Sequence, residues 1–206
     1  MLLVNDATAA CIAEAAFGST RGRSSSVLLT LGTGVGGGVI INDRIISGVH
    51  GVASEIGHMI MEENFYDCNC GKNGCLETFA SATALIRYCQ KQIDDGVESE
   101  LKKDNSYDAK QIFDAAKAGD ALALAAVNRL ANYLGWAIAN VNDLLDPGIF
   151  VIGGGLSGAG AFLLERIQTE TKSRLTYPQY ASPEIVLATF GNEAGMIGAA
   201  NLCHFI

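Results

Sequence analysis

His58, Cys68, Cys70 and Cys75 fall within eighteen residues, in an H-x9-C-x-C-x4-C spacing. Three thiolates and one imidazole are the donor set of a closed tetrahedral zinc site, which holds structure and leaves no open position for a reactive water. Gly71 and Gly74 let the chain double back so that neighbouring sulfurs can face one ion. Two other readings compete with this one: reduced surface thiols without a ligand, and a redox pair. The C-x-C spacing is not the C-x-x-C of thioredoxin-type chemistry, and three thiols this close favour a metal. The remaining cysteines, Cys11, Cys89 and Cys203, sit among apolar residues of helical pattern and are expected in the core.

Two glycine loops form the second chemical feature. GTGVGG (residues 32–37) and GGGLSG (residues 153–158) both match G-x-G-x-x-G, the fingerprint of a dinucleotide site. The first is followed by VIINDRII, which reads as strand and turn where a Rossmann loop must open a helix. The second lacks the acid expected about twenty residues further on. What both share is close backbone approach. Thr33 and Gly34 offer amide groups and a hydroxyl to an anion, and Gly153, Gly154 and Gly155, ahead of a helix, let a flat or phosphorylated ligand lie on the main chain.

Candidate acids flank these features. Asp6 follows Asn5 where a helix starts, so either residue could serve as its cap. Glu55 lies three residues before His58, and Glu77 two beyond Cys75. A loop folded around zinc would fix both carboxylates, which suits them to hydrogen-bond a polyol, with one acid acting as general base toward a hydroxyl. Spacing alone does not say which.

The elements that must position these groups read as α/β. DATAACIAEAAF predicts a helix over residues 6–17. The run from Ser24 to Gly48 predicts a meander of strands around the glycine loop, with a second turn at Asn42-Asp43. A helix is expected over about residues 77–94, an exposed polar loop over 96–107, and helices over 109–118 and 121–145, the last apolar nearly all round and therefore central. DPGIFVIGGG reads as turn, buried strand and glycine turn ahead of another helix. A short strand over 184–189 and a helix closing the chain complete the pattern. The 206 residues carry a net charge of −8, which argues against a nucleic-acid partner, and no apolar run is long enough to span a membrane. The N-terminal residues have no basic region of a signal peptide, so a cytoplasmic location is expected.

LTLGTGVGGGVI, G-x-x-G-x-x-x-E-I-G-H, C-x-C-G-x-x-G-C-L-E, VIGGG and GNEAGMIGAA together resemble the ROK family (repressors, open reading frames and sugar kinases), and within it the bacterial glucokinases. The resemblance runs over essentially the whole chain. It implies an actin-like, hexokinase-like ATPase fold of the ribonuclease H-like kind, and phosphorylation of a hexose 6-hydroxyl, glucose above all, by ATP with Mg2+. By matching position, Asp6 is implied as catalytic base and Asn5, Glu55, His58 and Glu77 as sugar contacts. Thr33 and Gly34 are implied at the ATP phosphates, Gly153, Gly154 and Gly155 at the nucleotide turn, and a homodimer as the assembly. His58 would ligate zinc through one ring nitrogen and face the sugar with the other. The resemblance also implies that residues 1–206 are the C-terminal portion of such a kinase, with its phosphate-loop lobe absent from this sequence, so little kinase activity is expected of this portion by itself. The alternative within the family is a sugar-binding sensor of the repressor type without kinase activity. One departure stands out: Ser54 occupies a position where the family usually has glycine.

Overall fold

The structure is a computed structural model, and it describes residues 5–101, 106–180 and 182–205. Its centre is a five-stranded mixed sheet: β1 (Ser26–Leu31), β2 (Val35–Ile41), β3 (Arg44–Ile45), β4 (Ile149–Gly153) and β5 (Glu184–Leu187), in the order β3-β2-β1-β4-β5. β1 and β2 form the expected antiparallel hairpin around the first glycine loop, with Leu31 opposite Val35. β1, β4 and β5 run parallel. Their carboxyl ends therefore lie along one edge of the sheet, the place where open α/β sheets bind ligands.

The two-residue repeat of a strand sends alternate side chains to opposite faces. Leu28, Ile40 and Val151 pack on one face with Ala10, Cys11 and Ala13 of α1 (Asp6–Phe17) and Ala194 of α7 (Ala194–Asn201). Val27, Leu29, Leu31, Phe150 and Ile152 point the other way, into a larger cluster. That cluster is completed by α2 (Glu77–Ala80), α3 (Ala82–Asp94), α4 (Ala109–Ala118), α5 (Ala121–Leu145) and α6 (Ala161–Lys172). The result is three layers with β1 and β4 buried on both sides, which is why SVLLTL and IFVIG are nearly continuous apolar runs. The alanine-rich α1 lies close against the sheet because its small side chains let the backbone approach.

Several expectations need correction. The helix expected over 77–94 breaks at Ser81, whose extended backbone and side-chain bond to the Ala84 amide start α3 afresh. Cys11 and Cys89 are buried, but Cys203 is exposed, because the short turn Leu202–His204 turns Leu202 inward in its place. In the polar stretch 96–107, Leu101 and Tyr107 are buried, while residues 102–105 lie outside the described residues. The last strand ends at Leu187, although the Ala188 amide still reaches the Ile152 carbonyl. α5 is the central helix expected, and Gly119, in the left-handed region, separates it from α4 as Asp120 caps its start.

Candidate functional site

The loop between β3 and α2 brings the four predicted ligands together. One donor atom from each of His58, Cys68, Cys70 and Cys75 lies within 4.8 Å of every other. The Cys70 and Cys75 sulfurs are 3.5 Å apart, and His58 Nδ1 is 3.6 Å from Cys68 Sγ. Metal–sulfur bonds of about 2.3 Å in a tetrahedron set neighbouring donors roughly 3.8 Å apart, so the set fits such an ion with small adjustments. Gly71 and Gly74 both take positive φ, as the doubling-back of the loop requires. Isolated bridges between Ile60 and Cys75 and between Asp67 and Asn73 pin the loop to itself. It is also fastened to the core. Asn64 and the Tyr66 hydroxyl each donate to the Thr78 carbonyl at 2.8 Å. Arg129 of α5 lies over the rings of Phe79, Tyr88 and Tyr133 at 4.8, 4.9 and 5.2 Å. Burial pushes the Cys68 and Cys75 thiols up, whereas the Lys72 backbone N–H holds the exposed Cys70 below its ordinary value.

His58 has two working sides. Nδ1 faces the sulfurs, and Nε2 lies 4.0 Å from the Glu55 carboxylate. The turn that carries it, Ile56–His58, is pressed against the hairpin, since a Cβ on Gly57 would fall 1.9 Å from the Val35 carbonyl oxygen. Glu77 starts α2, and its Oε1 is 2.9 Å from Cys68 Sγ. Its other oxygen packs on the glycine loop, where a Cβ on Gly34 would come within 2.6 Å. The candidate metal-binding cluster and a glycine loop thus share one carboxylate.

A cavity of about 480 Å³ opens at the carboxyl ends of the parallel strands, lined by Asp6, Thr33, Gly34, Glu77, Gly153 and Gly154, among others. The question of the α1 cap is settled in favour of Asn5, whose side-chain oxygen accepts from the Thr8 amide at 2.6 Å. Asp6 is exposed at the first helical position and accepts only from the adjacent Ala7 amide among the described residues, at 2.9 Å. Its carboxylate is therefore available to a ligand. Asn5, Glu55, His58 and Gly155 do not line this cavity. Gly154 takes φ +80°, and a Cβ there would lie 2.6 Å from the Leu31 backbone, so the chain crosses β1 closely at this point. The glycine turn does not open an α-helix directly: a short 3-10 turn, Gly155–Ala159, intervenes before α6. Gly153 and Gly154 consequently offer close approach of backbone, and the helix N-terminus expected behind them is displaced.

The sequence pattern of the ROK family matches residues 1–205. This chain belongs to the ROK family. It is 44% identical to a glucokinase of Halalkalibacterium halodurans over 211 residues, which cover 96% of this chain and 62% of that protein. The crystal structure of a ROK family glucokinase from Streptomyces griseus, in complex with glucose and AMPPNP, superposes with a TM-score of 0.87 at 34% identity. The match takes in 98% of this chain and 67% of that one. A ROK family transcriptional regulator, a homologue of the Escherichia coli MLC protein, gives a TM-score of 0.85 at 33% identity, covering 97% and 50% respectively. The chain thus spans about two thirds of the glucokinases' length and half of the regulator's. The fold is the mixed α/β fold of the ROK hexokinase-like structures.

Two residues of this candidate site escaped sequence reasoning. Thr83 donates its hydroxyl to the Thr33 carbonyl at 2.8 Å, and the Ala82 amide reaches the Gly32 carbonyl at the same distance. The start of α3 thereby holds the first glycine loop. The signal was faint: a Ser-Ala-Thr cap that reads as helix punctuation only. Glu14 also lines the cavity. It lies seven residues from Ala7 on the buried stripe of α1, where an acid breaks an otherwise apolar face.

Proposed function

We propose that this chain forms the sugar- and nucleotide-binding part of an ATP-dependent hexose kinase that phosphorylates the 6-hydroxyl of glucose. The observation that carries the proposal is Asp6. It is relieved of capping by Asn5 and faces the same cavity as Thr33–Gly34 and Gly153–Gly154. The likeness to glucokinases supports it. In this reading Asp6 takes the proton from the sugar hydroxyl as the hydroxyl oxygen bonds to the terminal phosphorus of ATP, and the bond to the bridging oxygen breaks to release ADP. Phosphoryl transfer asks a protein mainly for positioning and charge balance, and a base plus backbone loops provide both. Asn5, Glu55, His58 and Glu77 hold the sugar; Thr33, Gly34, Gly153, Gly154 and Gly155 hold the nucleotide.

Among the described residues the cavity lining contains the acids Asp6, Glu14 and Glu77 and no lysine or arginine. A phosphate chain entering it must bring its own cation, which accords with ATP arriving as its Mg2+ complex. His58, Cys68, Cys70 and Cys75 would hold zinc, which would fix the loop between β3 and α2. The residues of this chain that benefit are the sugar contacts Glu55, His58 and Glu77, whose positions depend on that loop. We place the reaction in the cytoplasm and the protein in a homodimer.

The test is glucose 6-phosphate formation from glucose and Mg·ATP by the wild-type chain and by Asp6→Asn. Any turnover by this portion is expected to fall by about 100-fold or more in Asp6→Asn, the scale of losing a general base, with glucose affinity changed little. Equal turnover in the two proteins, or a wild-type chain that binds neither ligand, contradicts it. The likeness to a ROK transcriptional regulator favours a second reading, a sugar sensor, whose signature is glucose binding without transfer.

A further inference from the structure

Glu14 is 1% exposed, and no lysine or arginine pairs with it among the described residues. Its carboxylate is instead filled by four donors. Oε1 accepts from the backbone amides of Thr189 and Phe190, both at 2.8 Å. Oε2 accepts from the Ser19 amide at 2.7 Å and the Ser19 hydroxyl at 2.8 Å. A buried carboxylate without such donors would be strongly disfavoured, and bonds to an ionised acceptor are the stronger kind. The local sequence makes room for it, because a Cβ on Gly18 would lie 2.2 Å from Oε2. Glu14 is thus a built junction between the end of α1 and the segment leaving β5, more than 170 residues away in sequence.

That segment is a wall of the cavity. Phe190, Gly191 and Asn192 line it before α7 begins at Ala194, and Phe190 also packs on the apolar cluster of α1 and the sheet. The same helix that presents Asp6 at its first residue therefore fixes this wall from its third turn. Neither the proposed sugar contacts nor the metal loop touches Glu14.

We propose that Glu14 is a positioning residue for the nucleotide: through the Thr189 and Phe190 amides it holds the 190–192 wall at a set place relative to Asp6. The inference rests on the nucleotide reading of the cavity. Replacing Glu14 by Gln turns an N–H group toward one of the two donor pairs, so that pair loses its acceptor. Gly18→Ala keeps the carboxylate but displaces it. Ser19→Ala removes a single donor from Oε2 and leaves the wall bonds in place.

The experiment measures, for the wild-type chain and these three variants, the affinity for Mg·AMPPNP and separately for glucose, together with the thermal transition. Glu14→Gln and Gly18→Ala are expected to weaken Mg·AMPPNP by about tenfold and to leave glucose affinity unchanged. Ser19→Ala is expected to bind both as wild type does. A purely structural role moves both ligands together, so the split is the informative readout. Should Glu14→Gln not fold, Gly18→Ala carries the same comparison. Folded variants that bind Mg·AMPPNP as tightly as wild type, or lose both ligands in step, overturn the inference alone. A wild-type chain that binds glucose but no Mg·AMPPNP overturns the nucleotide reading and the inference with it.

Discussion

Ser54 stands just before Glu55 with φ +68°, in the left-handed region that costs a side-chain-bearing residue about 1–2 kcal/mol. Its hydroxyl donates to the Ile46 carbonyl at 3.2 Å, a long bond that compensates little. Glycine relieves the strain but loses more backbone entropy on folding, about 0.5–1 kcal/mol, so Ser54→Gly should stabilise the chain by about 0.5–1 kcal/mol net. Thermal unfolding should show a rise of about 1–4 °C; a fall would mean that the Ile46 bond outweighs the strain. At this scale the chemistry was partly written in the residues themselves. The clustering of His58, Cys68, Cys70 and Cys75 was legible because thiols and imidazole at short spacing have few other uses. Glu14 was not, because its value depends on two amides at the far end of the chain. Asp6 was ambiguous until the structure showed Asn5 taking the cap.

Among the elements, α5 shows how local chemistry fixes a boundary and a pH response together. Asp120 accepts from the Ala123 amide and the Glu100 amide, each at 2.7 Å, and from the Ser99 hydroxyl at 2.9 Å. Partial burial opposes the charged form, but these donors outweigh it and hold the carboxyl below its usual value. A depressed folded value means that the stabilisation is complete above the unfolded value of about 3.9 and is lost as pH falls through the folded one. Asp120→Ala should cost about 1 kcal/mol at neutral pH, as for loss of an N-cap. Chemical denaturation of this variant below pH 4 should show a shallower fall in stability than wild type; parallel curves would contradict the assignment. Elements with strong punctuation, such as Gly119-Asp120 and the Gly32–Gly37 hairpin, were readable for this reason. The break at Ser81 was not, because a serine inside a helical apolar pattern gives no sign whether it caps or continues. The displaced helix after Gly155 has the same origin, since glycine tolerates many backbone courses and specifies none of them.

The whole molecule joins widely separated pieces of sequence at one sheet edge. α1 supplies Asp6 and Glu14, the hairpin supplies Thr33 and Gly34, and the turn after β4 supplies Gly153 and Gly154. The loop that carries the Cys/His cluster, fastened by Arg129 to α5, leads into α2, whose Glu77 lines the same cavity. The α/β character and the succession of elements followed from the apolar pattern, but the meeting of these pieces depends on pairing across more than a hundred residues, which periodicity does not encode. The central claim is that the metal loop shapes a sugar site. Isothermal titration of glucose into the zinc-loaded chain, the chelated chain and Glu77→Ala tests it most directly. The account predicts saturable binding to the zinc-loaded chain, weakened about tenfold or more by chelation, the usual scale for disturbing groups that orient a site, and by Glu77→Ala. Equal affinity with and without zinc, or no binding to the folded zinc-loaded chain, would contradict it.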